Sequence, residues 1–146
     1  MHLKTKMGQS GEQSSPVRQS NCIRWSMRDI EMRVTPGELL DKLTVVEVEV
    51  DRATNEDQRQ SLNLRLAYLE NLAAPGLERS PELQSLRSDL RDLNEDIRIL
   101  EQDLNNAEIN RDFGAGFTAL ARASIELRNR HKTLIARIDQ HSLGKT

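Results

Sequence analysis

Apolar side chains recur every three and four residues along most of this chain, and the rhythm predicts a series of helices. The first run is Leu39, Leu43, Val46, Val50 and Ala53, five positions on one helical face. Within it, Thr44 to Val50 alternates β-branched apolar and acidic residues, as a half-buried strand would. The strand reading explains only those seven residues. The helix reading also explains Thr35-Pro36-Gly37-Glu38, which has capping-box spacing with proline at the first helical position. Glu38 and Lys42 add an i,i+4 pair in the favourable order. A helix is therefore expected, with Leu40, Val45 and Val48 widening its apolar side as a possible second surface.

Thr54-Asn55-Glu56-Asp57 reads as a stop followed by a new cap. The next stripe, Leu62, Leu66, Leu69 and Ala73, begins nine residues after Ala53, half a turn out of phase with the first. The chain must bend near residue 55. A short second helix then runs to about Leu72 and is ended by Ala74-Pro75-Gly76. Ser80-Pro81 supplies another cap and first-turn proline. Behind it stands the longest seam: Leu83, Leu86, Leu90, Leu93, Ile97, Leu100, Leu104 and Ala107. Eight positions in strict 3-4 alternation describe a heptad helix of about 28 residues, roughly 42 Å at 1.5 Å per residue. Asp112-Phe113-Gly114-Ala115-Gly116 interrupts it, with Gly114 and Gly116 expected to make the tight reversal. The last helix carries Phe117, Leu120, Ser124, Leu127, His131, Leu134 and Ile138, then frays over 141–146.

Charge supports pairing of the last two helices. Residues 78–112 have a net charge of −5 and residues 121–146 one of +4, so an antiparallel hairpin sets an acidic helix beside a basic one. The expected fold is an all-α antiparallel bundle: a coiled-coil hairpin, 81–110 against 113–139, braced by two shorter N-terminal helices. Phe113 and Phe117 would plug its end.

Residues 1–31 have neither period. They are rich in Ser, Gln and Gly and predict a disordered tail, with the bundle domain over 32–140. Met27 and Met32 precede the first motif, so the tail also reads as an over-extended start. The overall charge of −2 argues against broad nucleic-acid binding, which needs a clustered Lys/Arg excess. The single cysteine, Cys22, excludes an internal disulfide and fits a reducing compartment. No apolar run approaches the roughly 20 residues of a membrane span, and no signal-peptide pattern opens the chain. A cytoplasmic protein with no membrane partner is expected.

Three blocks carry a resemblance. Val34-Thr35-Pro36-Gly37-Glu38-Leu39-Leu40-Asp41-Lys42-Leu43-Thr44, the stretch LNEDIRILEQDL at 93–104, and DFGAGFTALAR at 112–122 resemble a bacterial family of small helical proteins known only as a domain of unknown function. The resemblance covers about 33–139. It departs in the last helix, where Ile125 and Arg128-Asn129-Arg130 replace the family's aromatic and N-D-R. It implies a helical architecture and no particular activity.

Glu38, Asp41 and Lys42 lie in the first of these blocks and are candidates for a binding site, although the cap and the i,i+4 pair already explain Glu38 and Lys42. Asn94, Glu101 and Asp103 flank the seam opposite a helix bearing Arg122 and Arg130. Gathered between helices, such acids and guanidiniums would hold a small anionic ligand by bidentate pairing; spread along the outside, they set helix register. His131 in a seam position reads as packed and hydrogen-bonded. No E-x-x-H, H-E-x-x-H or C-x-x-C spacing suggests a metal, and no cofactor is expected. The DFG triplet lacks every other kinase element. A non-enzymatic interaction or self-association module is the expectation, with a protein partner or a homo-oligomer. The alternative is a small helical enzyme or metabolite binder using Glu38, Asp41, Lys42, Asn94, Glu101, Arg122 and Arg130.

Overall fold

The computed structural model describes residues 22–24 and 31–144. The chain divides after Thr35. Before that point Cys22–Arg24 (β1) pairs antiparallel with Glu31–Arg33 (β2), Ile23 opposite Met32. The rest of the expected tail, Trp25 and Met27 included, lies outside the described residues.

From Pro36 onward the protein is an all-α bundle. Its helices are α1 (Pro36–Arg52), α2 (Glu56–Glu78), α3 (Pro81–Ile109) and α4 (Ala115–Gly144). Each boundary follows local chemistry. Pro36 opens α1 directly after Thr35, where its missing N–H is no loss. The Asn55 side chain accepts from the Gln58 N–H at 2.7 Å to start α2, and Arg59 donates to the Ala53 carbonyl at 3.0 Å across the bend. Ser80 accepts from the Leu83 N–H at 3.1 Å and Pro81 follows it into α3.

The core is the meeting of the predicted stripes. Leu43, Leu90 and Ile138, one each from α1, α3 and α4, have no significant exposure, and α2 adds Leu69, Ala73 and Leu77. Each such Leu or Ile side chain stabilises the fold by roughly 1.5–3 kcal/mol. α3 and α4 form an antiparallel hairpin, tied at one end by Ser80 to His141 and further along by Glu101 to Arg128. α1 packs against both of these helices, and α2 against α1 and α3. Beyond Leu100 the seam residues Leu104, Ala107, Phe117, Leu120 and Leu127 are only half-buried. A two-helix seam with no third helix against it has that character.

Five expectations are corrected. α2 does not stop near Leu72: it carries Pro75 internally and ends at Glu78. Proline costs about 3 kcal/mol inside a helix, but the last turn is held by burial of Leu77 and by Gln84 Nε2 donating to the Leu77 carbonyl at 2.8 Å. The left-handed step of the reversal after α3 is at neither glycine: Gly114 lies in the turn and its carbonyl accepts from the Thr118 N–H at 3.2 Å to start α4, and Gly116 lies inside that helix. Arg111 takes the left-handed conformation (φ 55°), with Arg111 N–H to Glu108 O and Asp112 N–H to Ala107 O, the two bonds of a Schellman motif. Phe113 and Phe117 stack edge to face at 5.3 Å, yet Phe113 is 49% exposed and plugs nothing. α4 starts at Ala115 and runs to Gly144 instead of fraying, because the His141 ring bonds Ser80 Oγ at 2.9 Å. Leu40 and Val48 are buried; of the off-seam trio only Val45 is exposed.

Candidate functional site

The chemistry-bearing residues separate into three places. The first is a polar knot where α1, α3 and α4 meet. Thr44 and Asn94 are buried there, amid leucines. Asn94 donates from Nδ2 to Asp41 Oδ1 at 3.0 Å and to Thr44 Oγ1 at 2.9 Å. The Thr44 hydroxyl reaches back one turn to the Leu40 carbonyl at 2.9 Å. His131 Nε2 bonds the same Asp41 oxygen at 2.8 Å. One aspartate thus joins three helices.

Asp41 and His131 open onto a groove of about 370 Å³ between α1 and α4, whose lips carry Glu38, Lys132 and Asp139. At its head the two helices nearly touch. A Cβ on Gly37 would lie 2.8 Å from the backbone oxygen of Ile135, so glycine is required there by space. Its N–H donates to Asp139 Oδ1 at 2.7 Å. A carboxylate from α4 thereby satisfies a donor at the positive end of α1. Beside the Asp–His pair the groove lining contains no Ser, Cys or Thr, and its other ionisable groups are Glu38, Lys132 and Asp139. The pair links α1 to α4.

The second place is the far side of the hairpin. There α3 presents Asp89, Asp92 and Asp96, and α4 presents Arg122, Arg130 and Arg137, across an open groove of about 750 Å³ floored by Leu93 and Leu134. None of these six charged groups belongs to an ion pair among the described residues.

By contrast, the charges facing α1 are paired. Arg87 bridges Glu47 at 2.5 Å and Glu70 at 3.1 Å, Arg91 reaches Asp51, and Arg52 reaches Glu95 at 3.0 Å. Burial lowers the affinity of the Arg87 guanidinium for its proton, but the two carboxylates outweigh it and hold its pKa above the ordinary arginine value.

The third place is the outer face of α2. Leu64, Tyr68 and Leu72 follow one another at i, i+4 and i+8 and are 75%, 49% and 41% exposed. The opposite face of the same helix buries Leu69, Ala73 and Leu77. α2 is apolar on two sides.

Measured against expectation, the structure brings Asp41 and Asn94 together and places Glu38 at the lip of their groove. Lys42 is exposed on α1 and lines neither groove. Glu101 pairs with Arg128 on the exposed hairpin. Arg122 and Arg130 lie across the α3–α4 seam from the knot. Sequence reasoning missed Thr44, hidden in a run of valines, Asp139, which acts 102 positions away, and the second face of α2, whose i, i+4, i+8 spacing was visible. Among the described residues, no group of three or more His, Cys, Asp or Glu could hold a metal ion, and no helix is long and apolar enough to cross a membrane. No family model, curated protein or solved structure matches the chain.

Proposed function

We propose that this protein is a non-enzymatic interaction module, a rigid helical frame that offers the outer face of α2 to another polypeptide. The single observation carrying the reading is the exposure of Leu64, Tyr68 and Leu72 on a helix whose other side already fills the core. None of the three belongs to the buried core or packs against it; covering them would remove apolar surface from water at about 25 cal/mol per Å². The remaining chemistry fits a frame. Asp41, Asn94 and His131 bond one another, and the eight-position heptad seam of α3 supports a coiled-coil hairpin. The resemblance to the family with the T-P-G-E-L-x-D-K-x-T opening belongs to the same reading, since Gly37 and Asp41 of that block hold α1 to α4. The lone cysteine favours the cytoplasm as its place of work.

Gel filtration of native extracts tests this. Wild-type protein should elute as a complex larger than its 16.6 kDa chain, and a Leu64→Glu/Leu72→Glu variant as the free chain. Identical elution at the free-chain position overturns the proposal.

One observation supports a second reading, a binder of small charged ligands: Arg122, Arg130 and Arg137, in no ion pair among the described residues, line the α3–α4 groove. The facing Asp89, Asp92 and Asp96 oppose a simple anion and favour a ligand bearing both charges. Its test is isothermal titration with a dipolar amino acid or short peptide. Binding lost in Arg130→Gln sustains this reading, and the absence of heat sinks it.

A further inference from the structure

Building on the interaction reading, we infer that the polypeptide meeting α2 is a second copy of this chain, packed antiparallel about a two-fold axis through Tyr68. The exposed face is symmetric about Tyr68. Leu64 stands four residues before Tyr68 and Leu72 four after; Asp57 stands eleven before and Arg79 eleven after. At 100° per residue, a step of four turns 40° from Tyr68 and a step of eleven only 20°. Asp57, Leu64, Tyr68 and Leu72 lie on one strip of α2, and Arg79, the C-cap residue just past Glu78 with its backbone still in the right-handed helical region, continues it; the 57, 68, 79 spacing keeps the strip nearly parallel to the helix axis.

Reversing the strip end to end superposes it on itself in chemistry. Tyr68 meets Tyr68, Leu64 meets Leu72 of the other copy, and Ser61 meets Pro75. At each end Asp57 meets Arg79. Both are exposed, and neither belongs to an ion pair among the described residues. A face of this kind is what a two-fold interface demands, since each patch must complement itself. A parallel pairing would instead set Asp57 on Asp57 and Arg79 on Arg79. The aromatic at the centre with aliphatic neighbours and a charged rim has the anatomy of an interface hot spot.

Asp57 to Arg79 spans about 33 Å at 1.5 Å per residue. An interface of one helix from each copy is at the small end of specific contacts, so association in the micromolar range is expected.

Sedimentation equilibrium on the full chain, from about 1 to 500 μM, reads this directly. Wild-type protein should shift from 16.6 kDa toward twice that mass. Leu64→Glu, exposed in the folded chain and checked by circular dichroism, should weaken the dimer at least ~100-fold, because two leucines are lost per dimer. Asp57→Lys sets lysine against arginine twice and Arg79→Glu sets carboxylate against carboxylate twice, each weakening the dimer roughly tenfold. Mixing these two variants should restore it, since each interface then holds two opposite-charge pairs. A strictly monomeric chain overturns the inference. So does a dimer indifferent to Leu64→Glu, or one not restored by mixing. If the purified chain is monomeric while wild type still elutes in a large complex from extracts and Leu64→Glu/Leu72→Glu does not, self-pairing is wrong and the interaction reading stands.

Discussion

The backbone N–H of Gly37 donates to the carboxylate of Asp139 over 2.7 Å, joining the first turn of α1 to the last third of α4 across 102 positions of sequence. A glycine in a helix is ordinarily worth replacing, since alanine stabilises helices by about 0.8–1.0 kcal/mol. Here a Cβ would collide with the Ile135 backbone oxygen and with Asp139 itself. Gly37→Ala should therefore destabilise by about 1–3 kcal/mol, with the opposite sign to helix propensity. Asp139→Asn, which keeps an acceptor but loses the charge, should cost only about 0.3–1 kcal/mol. Urea denaturation of the two variants checks both sign and order.

The polar knot predicts coupling among distant residues. Removing Asn94 leaves the buried Thr44 hydroxyl and the partly buried Asp41 carboxylate short of a donor, so Asn94→Ala should destabilise by about 1–3 kcal/mol. Asp41→Ala and His131→Ala should fall short of additivity by about 0.5–3 kcal/mol, because each removes the partner of the other. A double-mutant cycle by chemical denaturation gives the figure, and strict additivity would mean the bond carries nothing.

Arg111 stands in left-handed backbone at the end of α3. An L-residue there costs roughly 1–2 kcal/mol, partly offset by the greater freedom glycine loses on folding. Arg111→Gly should raise stability by about 0.5–1 kcal/mol, a melting temperature higher by a few degrees in a thermal scan.

Arg87 lies between two carboxylates, with its pKa held above the usual arginine value. A raised folded-state pKa contributes stability that is complete below the unfolded value and is lost only as pH rises through the folded one. Through its own titration, this guanidinium therefore adds no pH dependence in the neutral range. Its loss should matter at any neutral pH. Arg87→Met strands Glu47, whose Oε1 is buried without a hydrogen bond and whose next cation, Arg91, is 3.8 Å away. A cost of about 1–3 kcal/mol follows, equal at pH 6 and pH 9 in denaturant titrations.

Much of this architecture was legible because it is periodic or local. Leu83 to Leu100 follow the heptad rule and are buried; Asn55 and Ser80 cap the helices that follow them. What escaped is non-local or runs against local propensity. Pro75 looks like a terminus until Leu77 is seen buried beyond it. Arg111 carries none of the side-chain signals of a left-handed residue, whereas the nearby glycines carry all of them. Asp41 was recognisable as unexplained, but its partners come from two other helices. Of the predicted site residues, the arginines went to a different groove because helix phase, not sequence proximity, decides which side of a seam a residue faces.

The most direct test of the central claim, that the outer face of α2 meets another polypeptide, is photo-crosslinking in the cells that make the protein. A photoreactive amino acid replaces Tyr68, and in a control it replaces Arg98, exposed on α3. A crosslinked polypeptide is expected from position 68 and none from position 98. Equal crosslinking at both positions, or none at either, would contradict that claim.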